Sequence, residues 1–118
     1  MVDSLTQKKC IPCEGGVPTL TDREVQGLLP QVPAWHVVLT EKGGARVATL
    51  QHQIKFKNFR EAMTFLRKVE DVAEAEGHHP DFCVHYNVVD FTLWTHAIGG
   101  LHENDFILAA KIDALQNG

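Results

Sequence analysis

A chain of 118 residues with 44% hydrophobic content has room for one domain with its own apolar core, and needs no disulfide or metal to hold it together. The net charge of -4 and the absence of any dense basic patch argue against direct nucleic-acid binding. No apolar run approaches the ~20 residues of a membrane span, and Met1 to Leu5 carry neither the basic nor the apolar region of a secretory signal, so a cytoplasmic protein with no membrane partner is expected.

Residues 1–19 are polar and then rich in Gly and Pro, and read as an extended or partly ordered arm; residues 20–118 read as the domain. The arm carries Cys10 and Cys13, half of a structural zinc site at most, and with no secretory signal the expectation is a pair of reduced loop thiols. Thr21, followed by Glu24, predicts a capping box and a short helix that stops before Pro30. Trp35 to Thr40 alternates as a strand does, Gly43-Gly44 turns the chain, and Ala45 to Phe56 runs back as the second arm of a hairpin. Asn58 caps a long helix whose apolar stripe is Phe59, Ala62, Met63, Leu66, Val69 and Ala73. Gly77 ends it in the left-handed conformation. Phe82 to Tyr86 and Val88 to His96 read as a second hairpin, with Val89, Phe91 and Leu93 on one face and Asp90, Thr92, Trp94 and His96 on the other. A final helix begins around His102 to Asp105. The fold class predicted is α+β: two layers, with a four-stranded antiparallel sheet and three helices packed on one face.

The chemistry concentrates in Glu76-Gly77-His78-His79-Pro80-Asp81 and in Thr95-His96. An imidazole titrates near ~6.5 and serves as acid or base at neutral pH. His78 lies just past a helix C-terminus, where the dipole favours imidazolium by up to ~2 kcal/mol. Glu74, one turn earlier, is placed to orient a ring there, and Asp105 to orient His96 in the same way. Zinc is the competing use of three histidines, but adjacent histidines on extended chain diverge rather than converge on one ion. A solvated helix cap is the plain alternative for His78-His79.

On Glu74-x-Glu76-Gly77-His78-His79-Pro80-Asp81, Tyr86-Asn87-Val88, Thr95-His96, Gly100-Leu101, Asp105, Trp35 and Phe56-x-Asn58-Phe59, the chain resembles the pterin-4a-carbinolamine dehydratase family over roughly residues 20–116. The resemblance implies dehydration of the 4a-hydroxytetrahydropterin left by aromatic amino-acid hydroxylases, without metal or organic cofactor, by homodimers or homotetramers. It implies catalytic His78, His79 and His96, oriented by Glu74 and Asp105. It also implies that His79, Phe82, Trp94 and Thr95 meet the pterin, Phe82 beside the flat ring and the backbone near Trp94-Thr95 at its edge. Some family members carry an acid where Gly77 stands, so a second carboxylate is missing here. The resemblance leaves a non-catalytic role as the alternative, either pterin binding or a protein-binding, transcriptional-cofactor-like module, which would add the nucleus to the expected location.

Overall fold

The computed structural model describes residues 4–11 and 15–117. The order of elements is α1 (Asp22–Leu28), β1 (His36–Lys42), β2 (Ala45–Lys55), α2 (Phe59–Glu76), β3 (Asp81–His85), β4 (Val88–Leu93) and α3 (Glu103–Asn117), with short 3-10 turns at Leu5–Gln7, Leu29–Gln31 and His96–Ile98. All strand pairs are antiparallel and the sheet order is β1-β2-β4-β3. Two hairpins thus lie side by side, joined at the β2–β4 seam, while α2 crosses between them. This is the expected α+β fold with a four-stranded antiparallel sheet and three helices.

Local chemistry accounts for the boundaries. The Thr21 hydroxyl accepts from Glu24 N–H and the Glu24 carboxylate accepts from Thr21 N–H, the reciprocal cap predicted for α1. Gly43 and Gly44 both take positive φ, +59° and +85°, which a two-residue hairpin loop of matching twist requires. Asn58 Oδ1 accepts from Glu61 N–H at 2.9 Å and opens α2; Gly77, at φ +66°, closes it. Asn87 ties the second hairpin to the end of β2 by exchanging hydrogen bonds with the Phe56 backbone.

One sheet face is buried under the helices by Leu50, Ile54, Val89, Phe91 and Leu93. From α2 the core takes Ala62, Phe65, Leu66, Val69 and Ala73. The expected stripe is therefore rotated: Phe65 turns inward, while Phe59 and Met63 remain exposed. α3 is the deeper helix, with Asn104 to Ala110 and Ile112 all buried.

Three expectations are corrected. Trp35 precedes β1 rather than starting it; it is buried and donates its indole N–H to Asp113 Oδ1 at 2.9 Å. β4 stops at Leu93, so His96 is not a strand residue but begins a 3-10 turn. There Thr95 pairs with Gly100 across a small closed loop, and Gly99 takes φ +67°. Finally, residues 4–11 do not trail away from the domain. Leu5 and Cys10 belong to the core cluster, against α3 and its neighbours. Cys13 lies outside the described residues.

Candidate active site

The left-handed turn at Gly77 decides where the two adjacent histidines go. His78 N–H still bonds back to Ala73 O at 3.2 Å, so His78 remains tied to the helix end, whereas Pro80 draws His79 toward β3. Their rings separate accordingly. His78 turns inward and places Nε2 2.6 Å from Asp105 Oδ1, with 12% of its side chain exposed and none of Asp105's. His79 turns outward and pairs Nε2 with Glu74 Oε2 at 2.5 Å in a largely solvated position.

Asp105 is the best-anchored polar group of the site. Its second oxygen, Oδ2, accepts from the Thr95 hydroxyl at 2.9 Å and from His102 N–H at 3.0 Å. Three donors around a buried side chain complement an acceptor-only carboxylate, and the first turn of α3 contributes the positive end of a helix dipole. With Nε2 of His78 bound to Asp105, Nδ1 is the ring nitrogen left to exchange protons with a ligand.

His96 is held differently. Its ring stacks on Trp94, with centroids 3.9 Å apart and planes 24° from parallel. Trp94 donates its indole N–H to Asp81 Oδ2 at 3.1 Å, and the same oxygen lies 3.9 Å from His96 Nε2. Lys42 Nζ lies 5.6 Å from the Trp94 ring centre. The His96 side chain is 64% exposed, so one ring face is covered and the other is open.

The carboxylate assignments made from spacing are therefore corrected. Glu74 pairs with His79, not His78; Asp105 pairs with His78, not His96; the acid nearest His96 is Asp81. Spacing along a helix brought Glu74 and His78 within a turn of each other, but the αL residue between them rotates His78 away. Asp81 stood in the matched string without a role.

His78, His79, Trp94, Thr95 and His96 line one open cavity of about 310 Å³, together with Ile11. Thr95 is nearly fully buried and its side chain serves Asp105. Phe82 stands apart from the other candidates. It lines a neighbouring, more apolar cavity of about 430 Å³ between α2 and β3, with Met63, Leu66 and Pro80, and His79 forms the ridge shared by the two. The larger cavity has the apolar walls, but the smaller one gathers the three imidazoles of His78, His79 and His96. Among the described residues, no group of three or more His, Cys, Asp or Glu is arranged to hold a metal ion.

Behind the cavity, Glu76 accepts from Lys111 Nζ at 2.7 Å and from Cys10 N–H at 2.8 Å. Burial alone would push its carboxyl up, but these bonds and the Lys111 charge hold it below the usual range. The Cys10 thiol donates to Asn104 O and is pushed up to about 12, chiefly by burial and further by Glu76. It is an inert core thiol rather than the loop thiol expected.

Comparison with known proteins bears on this geometry. The family model described as Pterin 4 alpha carbinolamine dehydratase matches residues 18–115. A Methylococcus capsulatus protein provisionally named pterin-4-alpha-carbinolamine dehydratase is 48% identical over 112 residues, covering 95% of this chain and 93% of that one. A Halorhodospira halophila protein with the same provisional name is 46% identical, covering 95% and 97%. Among solved structures, a transcriptional coactivator/pterin dehydratase from Brucella melitensis superposes with a TM-score of 0.72 at 32% identity, covering 82% of this chain and 97% of its own.

Proposed function

Because the chain belongs to the pterin 4 alpha carbinolamine dehydratase family, we propose that it dehydrates a 4a-hydroxytetrahydropterin to quinonoid dihydropterin and water, recycling the pterin of aromatic amino-acid hydroxylases. The observation that carries this reading is the meeting of His78, backed by buried Asp105, with His96 and His79 in one cavity. The step breaks the C4a–O bond. One imidazolium gives its proton to the departing hydroxyl, which leaves as water. The N5–H proton passes to a neutral imidazole, and its electron pair closes the N5–C4a double bond. One proton enters the substrate and one leaves, so the enzyme ends with its protons exchanged but not lost, and no electron is taken up or released. General acid–base assistance of this kind is worth roughly 10²–10⁴-fold.

His78 and His96 are the proton-transfer pair in this reading. His78 has its tautomer fixed by Asp105; His96 has an open ring face, with Trp94 behind it. His79, held by Glu74 at the rim, positions the substrate. The ring of a planar pterin fits beside the stacked Trp94–His96 pair rather than against Phe82, which faces the adjoining groove. That groove, with exposed Phe82, Phe59 and Met63 nearby, supports homo-oligomerisation.

The test is a coupled assay in which phenylalanine hydroxylase generates the 4a-carbinolamine and its absorbance decay is followed. Faster decay, lost in His78→Ala and His96→Ala, is expected. Unchanged decay with well-folded protein would instead favour a pterin-binding or partner-binding role on the same fold.

A further inference from the structure

One part of the cavity wall has no share in the acid–base apparatus. Ile11 is an aliphatic residue, 61% exposed, in the N-terminal segment, yet its backbone is fixed by a purpose-built clamp. Ile11 N–H donates to Asn104 Oδ1 at 3.0 Å, and Asn104 Nδ2 donates to Ile11 O at 2.7 Å. The Asn104 side chain thus reads this peptide unit as a strand neighbour would, from a position only 2% exposed. The preceding residue is held too: Cys10 N–H bonds to Glu76, itself neutralised by Lys111, and Cys10 and Leu5 anchor the segment in the core. Beyond it, Gly15 returns to the same rim, where an added Cβ would lie 3.3 Å from Ala97 O. Single exposed aliphatic residues are ordinary on protein surfaces. One whose amide is clamped on both sides by a buried carboxamide, at the wall of a cavity holding three histidines, is a placed side chain.

We infer that Ile11 is a specificity-determining residue: held by Asn104 at the wall of the histidine cavity, it contacts the substituent at C6 of the pterin. This rests on the dehydratase reading. The reacting atoms are C4a and N5, so they lie at the histidines. C6 is bonded to N5, which puts its substituent two bonds from the reacting N5, and it is the part that differs between one reduced pterin and another. An alkyl-bearing substituent there meets an aliphatic wall rather than water, and Ile11 supplies that wall without touching the transferred protons. Asn104 acts through Ile11 and is a positioning residue.

The test compares two 4a-carbinolamines made by the same hydroxylase, one with a dihydroxypropyl group at C6 and one with a methyl group. Ile11→Ala is expected to raise KM for the larger substrate about threefold to tenfold, at or just below the lower bound of what one enclosed apolar contact discriminates because this wall is open on one side, while KM for the methyl substrate and both kcat values stay within about twofold. Asn104→Ala, which leaves the Ile11 side chain unchanged but releases its backbone, is expected to shift the KM ratio in the same direction. Equal KM changes for both substrates, or none, would overturn the inference while leaving the dehydratase reading intact. No acceleration of either decay by the unaltered chain would overturn both.

Discussion

His78 and Asp105 form a histidine–carboxylate pair 2.6 Å apart, the carboxylate fully buried and the ring mostly so, in which the acid is supplied by the first turn of α3 and the base by the exit of α2. Two elements that meet only through tertiary packing are thereby locked at the point where the chemistry is proposed. Leaving one member of such a pair unmatched is costly, because the survivor stays buried.

Asp105→Asn tests that lock. The single carbonyl of the amide can keep both bonds of Oδ2, from Thr95 Oγ1 and His102 N–H, but its NH₂ group replaces the acceptor Oδ1 and faces His78 Nε2 with a donor. Carbinolamine turnover is expected to fall about 100-fold and stability by about 3 kcal/mol. Thr95→Val removes a single donor; it should cost about 1–2 kcal/mol and slow turnover much less. Steady-state kinetics and urea unfolding of the two variants would check the order, and equal turnover losses would show that Asp105 matters only as a structural acceptor.

How far such pairings could be read in advance depended on their range along the chain. The Thr21–Glu24 cap, the Asn58 cap and the Gly77 stop were legible because each is decided within four residues. The histidines themselves were legible as a set, but their carboxylate partners were not. Glu74 and His78 look like neighbours only if the helix continues, and the αL turn at Gly77 ends it. His96 looked like a strand residue because Thr92, Trp94 and His96 alternate; the Thr95–Gly100 bridge curls the chain first. The Ile11–Asn104 clamp spans 93 positions and left no periodic trace.

Glu76 gives the chain an acid-sensitive joint. Its carboxyl is held below the ordinary range in the folded state, so it binds protons more readily once unfolded. The stability it contributes is full above about pH 4.3 and is lost as pH falls through the lower folded value. Urea midpoints measured between pH 7 and pH 3 should therefore fall less steeply in Glu76→Gln than in the unaltered chain. Parallel slopes would mean that the carboxylate is not charged in its bonds to Lys111 and Cys10.

His52 contributes in the same direction but at higher pH. Its ring lies 5.2 Å from that of Trp35, and its Nε2 is buried with no hydrogen-bond partner among the described residues. Burial holds the imidazole below its usual value, against the pull of Asp113. The neutral ring thus favours the fold, fully above about pH 6.5, and that contribution is lost as pH drops through the depressed folded value. His52→Phe should flatten the change in unfolding midpoint between about pH 7.5 and 5. An unaltered slope would show that the ring takes up its proton without leaving the fold.

The thiols should separate by reactivity. Cys83 is exposed on β3, while Cys10 is buried and pushed up to about 12. Iodoacetamide at pH 8 should alkylate Cys83 in the native protein and reach Cys10 only after denaturation. Peptide mass mapping distinguishes them, and early labelling of Cys10 would mean that the N-terminal segment opens readily.

The first turn of α3 touches more of the molecule than its length suggests. Glu103 receives Lys8, Asn104 holds Ile11, and Asp105 holds His78. Three consecutive positions thus address Lys8 and Ile11 of the N-terminal segment and the proposed reaction centre. The arm cannot be exchanged as a separate cassette. A chimera taking residues 4–11 from a relative would need residues 103–105 from the same donor, and grafting one without the other should perturb the histidines at a distance from the graft.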